Sequence, residues 1–216
     1  MVKSKNYSLQ DTTITQEDLL NVRRDTEITE NDDKDKRKVS FPQANVMEKV
    51  ISLMENLYHN PMTKQQIAEL MNFDERQSDY YYNAGCYLEL FQKAENNDRE
   101  LTRLGERVFK MNYKERQLHI VSLILKHKIF ADFFDSIINT GSLPNKKEIE
   151  ERMIALNICN NCDTLSRRAN SVLGWLKWIF NLTNIVMKCG MRIIIIPEYN
   201  IDTYIYTCLL YTSPSP

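Results

Sequence analysis

The sequence predicts a mainly α-helical protein with small β-hairpin wings. Three observations lead there. Apolar residues recur at helical spacing through most of the chain after residue 45, and Thr or Asn caps stand ahead of several of those runs. Two pairs of short extended runs flank turn-forming residues. Helix, short helix, turn, longer helix and hairpin follow one another twice, which is the element order of a winged helix-turn-helix. A tandem pair of such modules is therefore expected, over residues 44–112 and 113–200.

The first module opens on "VMEKVISLMENLYH", where Val46, Val50, Leu53, Met54 and Leu57 share one helical face. Asn60-Pro61 breaks the chain, and Thr63 with Gln66 has capping-box spacing ahead of the short helix "KQQIAELM". After the turn "NFD" comes a longer helix, "DERQSDYYYNAGCYLEL". Two extended runs around "ENND" then form a hairpin, because Asn and Asp tolerate turn geometry. Thr102 caps the helix that follows, "RLGERVFKM".

The second module begins with one long or broken helical region, "ERQLHIVSLILKHKIFADFFDSIINTG". Asn145 and Glu148 repeat the capping-box spacing, "NICNNCD" is a turn, and "TLSRRANSVLGWLKWIFNL" is a long helix. Leu165, Ala169, Val172, Leu176 and Ile179 form its apolar stripe, and Trp175 and Trp178 belong to the core. Two β-branched runs around "KCG", within residues 184–197, read as a second hairpin.

Residues 1–40 hold few large apolar side chains and end in the charge run "ENDDKDKRK", so a disordered tail or linker is expected. This segment carries 8 Lys/Arg against 9 Asp/Glu, leaving 20 of each in the remainder and a formal net charge of −1. That balance argues against broad, non-specific nucleic-acid binding, so any DNA contact must come from local clusters. The first residues, "MVKSKNYSLQ", are polar, and the apolar run at 193–196 is far too short to span a bilayer. The expectation is a cytoplasmic protein with no membrane partner.

Five scattered cysteines make a disulfide framework unlikely. Cys159 and Cys162 have zinc-ligand spacing, but a structural zinc site needs four ligands and no fourth is evident. No cofactor is expected in this chain.

In helix-turn-helix proteins the start of the second helix touches base edges. In the first module those positions include Glu75, Arg76, Gln77, Ser78 and Asp79; Arg76 suits guanine and Gln77 adenine, both in bidentate geometry. Tyr80, Ala84, Tyr87 and Leu88 share one face, which predicts a buried Tyr80. Tyr81 stands one i+4 step from Gln77 and is expected to share an outward reading edge with it. Glu75 and Asp79 would repel phosphate, and a solvated polar face is the competing interpretation. In the second module Thr164, Ser166, Arg167, Arg168 and Asn170 concentrate two guanidiniums, two hydroxyls and an amide within two turns. The candidate DNA contacts are thus Arg76, Gln77, Tyr81, Ser166, Arg167, Arg168 and Asn170.

At "RQSDYYYNAGCYLEL…LTRLGERVF" and "SRRANSVLGWLKWI" the chain resembles the winged-helix regions associated with bacterial type II restriction endonucleases. The resemblance spans roughly residues 46–197. It implies double-stranded DNA as partner and target recognition in a restriction-modification system, often beside a separate nuclease domain. The nuclease motif itself, an acidic residue followed by an acidic-x-Lys pair on a strand to hold magnesium, is not found; nor is a Ser/His/Asp set or a phosphate-cradling glycine loop. This segment is not expected to cut DNA alone.

The last nine residues, "CLLYTSPSP", match one frame of a translated transposase sequencing adapter. Residues 208–216 are therefore expected to be non-native, the gene being truncated near Thr207 and any nuclease domain lying downstream. A protein-interaction module and a transcriptional regulator are the alternatives to a restriction-type DNA reader.

Overall fold

The computed structural model describes residues 12–183, apart from 73 and 161. The expected second hairpin at 184–197 and the adapter-like 208–216 lie outside the described residues. What is described is mainly helical, with one two-stranded antiparallel sheet.

Chain order begins with a helix where a disordered tail was expected. α1 (Gln16–Asp25) is closed at its start by a reciprocal capping box, Thr15 with Asp18. It buries Leu19 completely and lies against the second half of the chain through two ion pairs. Arg23 grips Asp135 with its Nε and Nη2, at 2.9 and 2.8 Å, and Lys114 Nζ meets Asp18 at 2.7 Å. The segment after α1 is also fixed. Thr29 and Glu30 N–H groups both donate to the Lys126 carbonyl, and the Lys128 N–H donates back to Glu30. Residues 12–40 are thus a packed arm, and the expectation of disorder there is corrected. Few apolar residues suffice, because Arg23, Asp18, Asp32, Asp33, Asp35 and Arg37 find polar partners on other segments.

α2 (Met47–His59) follows the predicted stripe and ends at the Asn60-Pro61 break. Met62 then exchanges two backbone hydrogen bonds with Arg99, 2.9 and 2.8 Å. α3 (Lys64–Met71) carries the predicted Thr63–Gln66 capping box and closes on Asn72 in the left-handed region. α4 (Glu75–Tyr87) starts on Asp74, whose carboxylate accepts from the Gln77 N–H at 2.7 Å. β1 (Phe91–Lys93) pairs with β2 (Arg99–Leu101) in the register Phe91↔Leu101. Thr102 caps α5 (Arg103–Lys110) through the Gly105 N–H.

The long helical region of the second half is two helices, α6 (Tyr113–Leu125) and α7 (Lys128–Thr140). The break falls where the arm inserts its Glu30 strand bridge against His127. α8 (Lys146–Ala155) has the predicted Asn145–Glu148 capping box, and α9 (Cys162–Asn181) packs on it.

The element groups expected at 44–112 and 113–200 share one core, running from Ile14 to Phe180. Trp175 sits at its centre, fully buried, stacked on Phe130 at 5.3 Å and edge-on to Tyr87 at 6.0 Å. The stripe predicted on α9 is buried throughout, Leu165 to Ile179, with Trp178. Two glycines permit close approaches. A Cβ on Gly174 would stand 2.1 Å from the Asn45 carbonyl oxygen, and one on Gly85 would stand 1.9 Å from the Phe91 ring. Among the described residues no helix is long and apolar enough to cross a membrane.

Candidate nucleic-acid interface

The first candidate surface is the start of α4. Arg76 and Gln77 are exposed there, and the Arg76 guanidinium lies over the Tyr80 ring at 5.6 Å. Tyr81 does not join them. It is 7% exposed and packs in the core, with Lys49 Nζ 5.9 Å from its ring centroid, and burial pushes its phenol above the ordinary range. The expected Gln77–Tyr81 reading edge is therefore corrected: Tyr80 is the half-exposed ring and Tyr81 the buried one. The physical reason is that α4 is apolar over a wide arc. Ser78, Tyr81, Tyr82 and Gly85 (the i, i+3, i+4, i+7 set) are buried along with Ala84, Tyr87 and Leu88. An arc that broad does not fix its own centre, and Tyr80 lies at its margin in an early turn.

The acidic residues of the same turns are neutralised. Asp79 accepts from Lys64 Nζ at 2.8 Å and from Arg99 Nη2 at 2.9 Å, and Glu75 lies 3.6 Å from Lys64. Burial raises the Asp79 carboxyl, but hydrogen bonds and charge from Lys64 and Arg99 outweigh it and hold the group below its ordinary range. One carboxylate thereby ties α3, α4 and β2 together. Arg99 also stacks over Tyr82 at 5.1 Å.

The second candidate surface is the start of α9. Ser166, Arg167 and Arg168 are half-buried and Asn170 is exposed. Neither Arg167 nor Arg168 forms an ion pair with a described residue, and the Nε of each is buried without a hydrogen-bond partner among them. By contrast the nearby Arg152 of α8 pairs with Asp132 of α7. The structure brings these α9 residues together with two the sequence reading passed over, Lys34 and Arg37 of the arm. Lys34, Arg37, Ile158, Cys159, Asn160, Thr164 and Arg168 line an open cleft of about 510 Å³. Arg37 is held in place by donating to the Asp32 and Ile158 carbonyls at 3.1 and 2.9 Å. Burial, and then the charge of Arg168, lower the Arg37 guanidinium from its ordinary range. Cys159, half of the "CNNC" pair, is buried with its Sγ 3.1 Å from Thr164 Oγ1; the Cys162 side chain lies outside the described residues.

Behind the cleft is a buried polar group. His127 Nδ1 lies 3.0 Å from Asp32 Oδ1, and the Tyr87 ring stacks on the imidazole at 3.9 Å. Burial, with Asp32 nearby, holds the Tyr87 phenol well above its ordinary range. No sequence signal joins positions 32, 87 and 127; only the packed arm does.

Among the described residues these features define a mainly helical protein with one small hairpin, two packed pairs of consecutive helices (α3–α4 and α8–α9) and a basic cleft at the second. The chain belongs to the family described as Domain of unknown function (DUF7226), which it matches over residues 49–184. That match runs from the first turn of α2 to just past α9, so Arg76 and Arg168 fall inside it and Lys34 and Arg37 outside. Among curated proteins and among solved structures, none matches the chain.

Proposed function

We propose that the chain is a double-stranded DNA-binding segment built from two winged helix-turn-helix units, the second being the main reader. The observation that carries this is the start of α9: two adjacent arginines without carboxylate partners among the described residues, of which Arg168 shares a cleft with Lys34 and Arg37 of the arm. Guanidiniums placed so are suited to phosphate and to guanine edges. In the first unit Arg76 and Gln77 are the contacts, and the Asp79 ion pairs remove the charge that would oppose them. The Met62–Arg99 bridge adds a third short extended piece beside β1 and β2, as a wing requires. Target recognition within a restriction-modification system is the biological setting the sequence resemblance favours, with a nuclease domain as the partner in the whole protein.

A mobility-shift titration with random-sequence duplex across salt concentrations tests the reading. Arg167→Ala with Arg168→Ala weakens binding and lowers the salt slope by up to about two. Unchanged affinity and slope in the double variant sink the assignment.

A protein-docking module is the second reading. Leu70 of α3 and Ile154 of α8 are about half exposed (48% and 52%), each on the helix preceding a proposed reader, and the net charge of −1 suits a protein partner. Absence of any salt-dependent DNA binding by the unaltered chain would favour it.

A further inference from the structure

The structure assigns a second role to the arm: we infer that Lys34, Arg37 and Arg168 form a phosphate-binding cleft that clamps a DNA backbone phosphate beside the start of α9. This deepens the DNA-binding reading and rests on it. Three basic side chains, from segments more than a hundred residues apart, converge on one open cleft. Among the described residues no carboxylate lines it. The acidic groups of the arm have other partners: Asp32 Oδ1 lies 3.0 Å from His127 Nδ1, and Asp33 and Asp35 both accept from Asn157 Nδ2, at 3.0 and 2.9 Å. Asp163 is exposed in the first turn of α9 and does not line the cleft.

Placing two guanidiniums and an ammonium on one cleft is electrostatically unfavourable, and the charge of Asp32 behind it offsets this only in part, since the Arg37 guanidinium stays lowered. Structure alone does not demand it. Arg37 is required locally, since it satisfies the Asp32 and Ile158 carbonyls, but Lys34 and Arg168 are not. With its amide turned to satisfy both neighbours, Asn160 accepts from Lys34 Nζ at 3.2 Å and donates to the Cys159 carbonyl at 3.2 Å. Lys34 is thus poised over the cleft by a neutral group, with two ammonium protons left for a ligand. Arg168 presents a guanidinium that no described carboxylate neutralises. An anion carrying several acceptor oxygens, such as phosphate, is the ligand class that ammonium and guanidinium donors sharing one cleft would take. The arm then contributes to affinity without reading sequence, as phosphate contacts do.

Lys34→Ala is the informative variant, because Lys34 is exposed and its loss leaves the Arg37 hydrogen bonds intact. Two probes are used on the full chain: random-sequence duplex across salt, and inorganic phosphate against chloride at equal ionic strength, read as a change in Tm. The expected result is an approximately eightfold weaker duplex affinity near 0.1 M salt, with the slope reduced by about 0.9, one phosphate's worth. Phosphate raises the Tm of the unaltered chain, and this shift shrinks in Lys34→Ala and in Arg168→Gln. If the unaltered chain binds no duplex yet keeps a phosphate shift that Lys34→Ala abolishes, the cleft stands as a site for a free phosphate group and the DNA reading falls. If Arg167→Ala weakens duplex binding while Lys34→Ala changes neither slope nor affinity and phosphate shifts no Tm, the cleft is overturned and the DNA reading survives.

Discussion

The indole N–H of Trp175 donates to the Ala44 carbonyl at 2.8 Å across 131 positions of chain, inside the core. The contact fastens α9 to the segment just ahead of α2, and Gly174 makes room for it by letting Asn45 approach. Trp175→Phe keeps most of the apolar area but strands a buried carbonyl. A loss of about 1–3 kcal/mol is expected in denaturant unfolding, the desolvation cost of an unpaired backbone acceptor. A phenylalanine variant as stable as the parent would show that Ala44 finds another donor.

Gly174→Ala should also destabilise, which is the reverse of the usual gain from removing a mid-helix glycine, roughly 1 kcal/mol. The added methyl would sit 2.1 Å from a backbone oxygen. Overpacking of this kind costs about 1–3 kcal/mol, so the sign of the change in unfolding midpoint decides the matter.

Replacing each of two neighbouring tyrosines separates fold from surface. Tyr81→Ala removes a buried ring and is expected to cost about 2–5 kcal/mol, the range of large-to-small core changes. Tyr80→Ala loses only a half-exposed ring under Arg76, with an effect within about 0.5 kcal/mol. Thermal melts of the two variants would reverse this order only if the α4 face were rotated toward Tyr80.

Acid should loosen the contacts that Asp18 and Asp79 make for α1 and α4. The Asp18 and Asp79 carboxyls are both held below the ordinary value of 3.8 in the folded chain. In each, burial pushes up and is outweighed, by Lys114 and Thr15 for Asp18, and by Lys64 and Arg99 for Asp79. A depressed folded value means the stabilisation is complete at pH above 3.8 and is lost as pH falls through the lower folded value. Asp18→Asn therefore lowers stability at neutral pH, by up to about 1 kcal/mol for a pair near the surface. It also flattens the acid limb of a Tm-versus-pH curve. A variant curve parallel to the parent's down to pH 2 would mean that Asp18 does not link protonation to folding.

The parts legible in the sequence were those set by local chemistry. Caps at Thr63, Thr102 and Asn145, the Asn60-Pro61 break and the α9 stripe depend on residues within a few positions of one another, and each stands where the spacing put it. The arm was not legible, because what orders it comes from far away. Arg23 meets Asp135 across 112 positions and Asn157 meets Asp33 across 124. Its one local signal was Thr15 with Asp18, a capping pair using Asp in place of the commoner Glu or Gln. The phase of α4 failed for a different reason, the width of its apolar arc. Of the candidate interface, the α9 arginines were readable as a cluster, while Lys34 and Arg37 belonged to a charge run whose partner only folding reveals.

The arm's backbone exchange with Lys126 and Lys128 bears on what counts as a self-sufficient piece of this protein. Residues 49–184 match the family, yet a polypeptide trimmed to them forfeits the Ala44 acceptor, the Phe41 ring stacked on Phe130 and the Asp32 partner of His127. The α6–α7 joint would lose Glu30, leaving the Lys126 carbonyl and the Lys128 N–H for water to fill. The stretch that matches the family and the stretch joined by one core thus have different boundaries, and the core begins before the match does.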